Sequence, residues 1–315
     1  MSQMDNLRSD MDKGRIKVVI LETEHVMESA AAGISDILAV ANYVLDAPLF
    51  MVTKVNCSEL PVESVPDVVF IPPRKIGADI HYDPTLLTTL KQWHGQGCTV
   101  AANCASVFWL GYAGLLENRA ATTHWKLCDQ LASEFPAMAD VKRHEMVVDE
   151  GSVVTGSGLF AFQDLALHLI ARYAGFDLAK EVADICLLDF SGRLQAYYER
   201  FLPDLSHGNA LVLKAQQYCH HTPLDEQSNK AMADICCVSE KTLTRAFKKV
   251  LNLTPQQYRL NYKMDVAKRE MNINKSTVEQ VAFLLGYNDV SNFTRVFKKV
   301  VGITPTHYRS RFATD

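Results

Sequence analysis

The sequence predicts two domains of different class, a doubly wound α/β domain followed by an all-α one, and three observations carry that division. Between Lys17 and about Gly175, apolar runs of strand length alternate with amphipathic stretches of helical period, the pattern of a parallel sheet with helices on both faces. From Ser239 a 21-residue segment recurs once, at an offset of 50. The formal charge divides in the same place: residues 206–315 carry 16 Lys/Arg against 9 Asp/Glu, and residues 1–205 carry 16 against 27. A basic C-terminal third on an acidic body suits a nucleic-acid-binding module joined to something else.

Residues Met1 to Arg15 are polar, carry both signs of charge and lack the apolar core of a secretory signal, so residues 1–14 read as a disordered tail. No run of about 18 uncharged apolar residues exists to span a membrane. The eight cysteines are scattered, with no C-x-x-C pair. That spacing argues against a zinc ribbon and, without an export signal, against a disulfide framework. The expected compartment is the reducing cytoplasm, and nothing in the pattern asks for a metal or cofactor.

The first domain is expected over residues 15–190. Lys17–Leu21, Asp67–Pro72, Cys98–Ala102 and Ser152–Thr155 read as strands, and 31–45, 84–96, 105–113 and 160–174 as helices. Cys104 falls between a buried strand and a helix, where a side chain is pushed up at a helix N-terminus that favours a thiolate. His124 is the candidate partner for such a thiol. Trp109, Tyr112, Trp125 and Phe160 read first as core residues, with an aromatic cation site as the alternative. Ser106, standing where an elbow needs Gly, argues against catalysis. Residues 191–207 mix aromatic with turn residues and read as a linker or ordered arm. His220 and His221 are adjacent on a presumed helix and point apart, so a shared metal is not expected.

The second domain is expected over 208–315. The segments SEKTLTRAFKKVLNLTPQQYR and DVSNFTRVFKKVVGITPTHYR share ten identities in 21 positions. Leu243, Ala246, Phe247 and Val250, and equivalently Phe293, Val296, Phe297 and Val300, fall at i, i+3, i+4, i+7 and read as core stripes. The opposite faces hold Lys241, Thr244, Arg245 and Lys248, and Ser291, Thr294, Arg295 and Lys298. Before each lies a short helix (about 226–235 and 277–285) and a turn, at Cys237 in one copy and Gly286 in the other. Helix, tight turn, helix with a cationic outer face is the helix-turn-helix arrangement, which lays its second helix in the major groove of double-stranded DNA. Arg245 and Arg295 suit bidentate contact with guanine, whereas Lys248, Lys298, Lys249 and Lys299 suit phosphates. Pro255 to about Met271, with Thr254 as N-cap, reads as one helix holding the two units apart.

The run GYNDVSNFTRVFKKVVGITPTHYR resembles the signature of the AraC/XylS family of bacterial regulators. The resemblance covers about residues 208–312 and places the family's base-contacting positions on Lys241, Thr244, Arg245, Ser291, Thr294 and Arg295. Cys237 departs from the Gly usual in the first turn. The N-terminal stretch is similar to class I glutamine-amidotransferase-like domains of the PfpI kind, which are flavodoxin-like α/β folds, in the version fused to AraC-type domains. Cys104, Ala113–Leu116, Ala121-Thr-Thr-His-Trp125 and Asp164-x-x-Leu-His168 carry that similarity, which implies a Glu at the end of the first strand in catalytic members; no acidic residue is expected in that register here, Glu24 and Glu28 being the nearest.

Together the resemblances imply a non-enzymatic transcription regulator that binds a small-molecule effector near Cys104 and His124. They further imply an amino-acid-derived or quaternary ammonium effector, an activator that touches RNA polymerase, and a homodimer. The alternatives are a Cys-dependent hydrolase or hydratase with an appended DNA-binding domain, and a nucleic-acid-coating protein without sequence preference.

Overall fold

The structure is a computed structural model that describes residues 14–60, 64–77, 83–190 and 193–312. The expected tail, save Gly14, lies outside them. The chain forms two compact units that divide between Gln195 and Ala196.

In the first unit the elements are β1 (Ile16–Glu22), α1 (Glu28–Leu45), β2 (Phe50–Asn56), β3 (Val68–Ile71), α2 (Pro84–Gly95), β4 (Thr99–Asn103), α3 (Val107–Tyr112), β5 (Ala120–Ala121), α4 (Cys128–Glu134), β6 (Asp140–Val141), β7 (Val147–Asp149), β8 (Val153–Gly156), α5 (Phe162–Ala174) and α6 (Phe176–Ile185). Six strands make one sheet in the order β2-β1-β3-β4-β8-β7. All pairings are parallel except β7 with β8, and β5 pairs with β6 separately. Alternate residues of β1 serve different cores, because side chains of a strand point to opposite faces. Val18 and Ile20 pack with α1, α5 and α6, whereas Val19 and Leu21 pack with α2 and α3. Since β1 is followed by β2 on one side and flanked by β3 on the other, the strand order reverses between β1 and β3. Outside the carboxyl ends of such strands lies the usual ligand crevice of an open α/β sheet.

Strand β2 and helix α6 are among the elements that carried no sequence expectation. Strand β2 is an edge strand with mixed exposure, its apolar start at Phe50–Val52 giving way to Thr53, Lys54 and Asn56. Helix α6 starts directly after α5, from which Gly175 at φ +94° separates it.

The second unit holds α7 (Ala210–His221), α8 (Asn229–Ile235), α9 (Glu240–Leu251), α10 (Pro255–Asn272), α11 (Val278–Leu284), α12 (Val290–Val301) and α13 (Pro305–Phe312). The duplication is structural: α7-α8-α9 and α10-α11-α12 are equivalent triplets. Tyr258 and Tyr308, fifty residues apart, are both buried. Each hydroxyl meets the C-terminal end of the first helix of the preceding triplet, Tyr258 at His220 Nε2 (3.0 Å) and Tyr308 at Asn272 Nδ2 (2.9 Å). Helix α10 begins as expected, with Pro255 in its first turn and a capping box between Thr254 and Gln257. His221 turns back to Gln217 O instead of joining His220, and the described residues hold no group of three potential metal ligands.

The two turns solve one problem differently. Gly286 has φ +80°, and a Cβ there would sit 2.6 Å from Asp225 Cα, so both conformation and space require glycine. Cys237 adopts the same left-handed conformation with φ +54° and leaves its side chain exposed. The departure from glycine therefore alters the residue without altering the turn.

Candidate functional site

The outer faces of α9 and α12 are built by amphipathic periodicity. Leu243 and Phe247, and Phe293 and Phe297, point inward and are buried, with Ala246, Val250, Val296 and Val300 half-buried beside them. Over the ten positions 241–250 and 291–300 the pattern of exposure is identical residue for residue. Lys241, Arg245 and Lys248 are exposed with Thr244 half-buried among them, as are Ser291, Arg295 and Lys298 around Thr294. Each helix is capped from the turn: Ser239 accepts the Thr242 amide at 3.2 Å, and Asp289 accepts those of Ser291 and Asn292 at 3.0 Å. Thr244 Oγ1 donates to Glu240 O at 2.8 Å. One guanidinium is partly oriented, since Arg295 Nη2 donates to Asn292 Oδ1 at 3.0 Å. The sequence expectation did not include Asn292, whose counterpart in the first copy is Thr242.

In the first unit Cys104 follows β4 with φ +56°, the strained strand-to-helix turn expected of an elbow. The site is closed: Cys104 is 6 % exposed, and burial pushes its thiol up to about 11. The thiol is therefore protonated at neutral pH, against the thiolate that the helix N-terminus suggested. Ser106 is buried and donates to Pro72 O at 2.7 Å, so the position that an elbow leaves to glycine here ties α3 to the end of β3. The expectation about acidic residues needs correction as well, because β1 ends on Glu22. Glu28 opens α1 and pairs with Lys75 at 2.9 Å in solvent.

His124 is half-buried, and burial holds its imidazole below the usual histidine range. Thr123 Oγ1 donates to Cys104 O at 2.8 Å, which brings the His124 loop against the elbow. Asn103 Nδ2 donates to Gly158 O at 3.0 Å, and a Cβ on Gly158 would touch His124 Cδ2 at 3.5 Å. Cys104 and His124 share one end of the sheet, yet no hydrogen bond joins them. His124 Nδ1 accepts the Lys126 amide at 3.2 Å instead. Asn103 Oδ1 and Trp109 Nε1 are buried with no hydrogen-bond partner among the described residues, an open acceptor and an open donor flanking the elbow. A cavity of about 370 Å³ lies between α4 and β6, lined by Cys128, Phe135, Met138 and Arg143 but not by Cys104 or His124.

The four aromatic residues do not form a cage. Trp109 stacks under Arg74 (5.6 Å), Tyr112 packs on Phe135, Trp125 on His124 and Phe160 on Phe162.

Sequence reasoning missed Gln195. Its side chain reaches back about seventy residues to hold the His124 loop: Nε2 donates to Thr123 O (2.9 Å) and Arg143 O (2.8 Å), and Oε1 accepts from Trp125 N (2.9 Å). No local pattern announces such a bond.

Comparison with known proteins agrees with this division. A helix-turn-helix domain model matches residues 232–311, and the DJ-1/PfpI family model matches residues 8–172. The chain is 25% identical over 214 residues to the HTH-type transcriptional regulator ArgR of Pseudomonas aeruginosa, covering 67% of this chain and 64% of that one. It is 28% identical over 217 residues to the HTH-type transcriptional regulator CdhR of the same organism, covering 67% and 62%. The matches thus span somewhat under two thirds of the regulators' own length. An isonitrile hydratase of Pseudomonas putida is 32% identical over 116 residues, 37% of this chain and 49% of the enzyme.

Proposed function

The chain belongs to the DJ-1/PfpI family and carries an AraC-type helix-turn-helix domain after it, and from this premise we propose that it is a sequence-specific DNA-binding transcription regulator controlled by a small molecule. The observation that carries the reading is the identical exposure pattern of 241–250 and 291–300. Two copies of one cationic face, set on either side of the α10 helix, suit two successive major grooves. Arg245 and Arg295 read bases, Lys241, Thr244, Ser291 and Thr294 flank them, and Lys248 and Lys298 meet phosphates.

The effector site is the Cys104–His124 end of the sheet, where Asn103 Oδ1 and Trp109 Nε1 offer a ligand one acceptor and one donor. An amino-acid-derived or quaternary ammonium effector, activation through RNA polymerase, action as a homodimer and a cytoplasmic location complete the proposal. The described residues include no helix long and apolar enough to cross a membrane.

We read the elbow as a binding feature. A buried thiol at about 11, without a hydrogen bond to His124, is a poor nucleophile at neutral pH. The hydratase relative favours a second reading, in which Cys104 turns over a small substrate. That reading predicts steady turnover abolished by Cys104→Ser.

The test is selection of binding sites from random duplex DNA with the full chain, followed by binding of the selected and scrambled duplexes across a salt series. Preference for the selected site at physiological salt supports the regulator. Equal affinities that vanish together with salt would leave only a phosphate-coating surface.

A further inference from the structure

The two helix-turn-helix copies lie within one compact unit, Ala196–Asp315. Arg259 and Lys263 stand four residues apart on α10, so their side chains leave one face of that helix, one turn from each other. Arg259 Nη1 donates to Gln227 O, in the loop of the first copy that leads into α8. Gln227 is buried, and its Nε2 donates to Cys219 O (2.8 Å) and Thr222 O (3.0 Å), so this loop is fixed to the end of α7. Lys263 Nζ donates to Leu285 O at 2.9 Å. Leu285 caps the C-terminal end of α11 and opens the turn that leads into α12. Within one turn, therefore, α10 holds first one copy and then the other.

The loop and the turn also meet each other. A Cβ on Gly286 would sit 2.6 Å from Asp225 Cα and 2.9 Å from Asp225 Cβ, so the second turn lies against the first copy's loop. Positive φ alone does not demand glycine there, since Cys237 holds φ +54° in the first turn with its side chain exposed. The contact between the copies demands it. Lys263 is half-buried. Burial and the Arg259 guanidinium push its ammonium down to about 8, against the opposing pull of Asp225. It still carries its charge at neutral pH, at a helix C-terminus that favours a cation and where poor solvation strengthens the bond.

Helices α10, α11 and α12 are joined by short turns, so α10 by itself leaves the second turn free to rock. A contact off the helix axis removes that freedom. The DNA makes the same demand: successive major-groove segments lie about 34 Å apart, and one added base pair moves the second by about 3.4 Å and turns it by about 34°. Hydrogen bonds to base edges fail beyond about 3.5 Å, so a rigid pair of recognition helices cannot follow. We propose that Lys263 is the positioning residue that locks the second turn against the first copy's loop, and that this lock makes the spacing of the two DNA segments a determinant of specificity. The role rests on the DNA-binding reading above and adds what that binding measures besides base identity.

The test compares two duplexes with the full chain: the site selected from random DNA, and the same site with one base pair inserted between the two segments that one chain reads. The quantity read is the ratio of the two affinities. A change in folded fraction scales both affinities alike and leaves that ratio unmoved. In the unaltered chain the insertion is expected to cost about a hundredfold. Lys263→Met keeps the unbranched stem and removes the donor and its charge. It is expected to bring the cost of the insertion down to about tenfold or less, because the second recognition helix can then follow its segment. A cost that stays above this overturns the role, and so does an unaltered chain that binds both duplexes alike.

Asp225→Gly decides by the same criterion should Lys263→Met fail to fold. Asp225 is exposed and lies off α10, and its loss loosens the same junction from the other side. If selection yields no preferred duplex, the regulator reading fails and the positioning role falls with it. A preferred duplex whose ratio Lys263→Met leaves unmoved overturns the positioning role alone.

Discussion

The hydroxyl of Tyr258 lies 3.0 Å from Nε2 of His220, joining the end of the first recognition unit to the helix that opens it. The ring is buried against Phe201 and Phe247, and burial pushes the phenol up, so it stays neutral and able to donate. Tyr258→Phe keeps the packing and removes only the bond. We expect a loss of about 1–2 kcal/mol in the denaturant unfolding of the full chain, with Tyr258→Ala costing about 3–5 kcal/mol. Equal stability of the Phe variant and the parent would show that the bond contributes nothing.

The arginine and lysine of one recognition helix are expected to fail differently. Arg295→Ala should cost about 1–3 kcal/mol at the selected site and relax preference at one base pair, while Lys298→Ala weakens all duplexes alike and lowers the salt slope by about 1. Asn292→Ala frees the Arg295 fork from its 3.0 Å bond and should produce a smaller loss of the Arg295 kind. Competition binding across a salt series separates the three. Identical salt slopes for all of them would contradict the division of labour.

The two turns predict opposite responses to glycine exchange. Gly286→Ala meets both a positive φ and the backbone of Asp225, and should destabilise by about 2 kcal/mol or more. Cys237→Gly relieves a left-handed residue with no crowding to exploit, and should stabilise by about 0.5–1 kcal/mol. Thermal unfolding of the two variants decides this. Losses of similar size in both would mean that the turns are not equivalent.

Acid should weaken the first unit through His124. Burial lowers its folded-state pKa, so above about pH 6.5 both states are neutral and no penalty exists. Below that the unfolded chain takes up a proton that the folded one resists, and stability falls as pH falls, until the folded pKa is passed. His94 in the same unit shifts in the same direction, so the measurement is a difference: His124→Gln should flatten the loss between about pH 6.5 and 5 without removing it. A curve parallel to the parent would place the acid response elsewhere.

The legible parts of this protein are those whose physics is local. Helical period alone separated Leu243 and Phe247 from Arg245 and Lys248, because neighbours on a helix face recur every three or four residues whatever surrounds the helix. Thr254 and Pro255 likewise announced the start of α10. Within the α/β unit the apolar runs of β1, β3, β4 and β8 were visible because strands covered on both faces must be apolar throughout. Strand β2, exposed at an edge, is free of that demand, and Thr53, Lys54 and Asn56 interrupt its apolar pattern.

By itself, then, the sequence determined the two domain classes, the duplicated cationic face and the candidate pair Cys104 and His124. Only the tertiary structure decided that Cys104 is enclosed and its thiol protonated, that Ser106 serves as a tie to Pro72, and that Gln195 grips the loop around His124. Those properties depend on burial and on hydrogen bonds between residues 34 to 72 positions apart. Periodicity constrains which face a side chain takes. It cannot say which distant backbone group will meet it there.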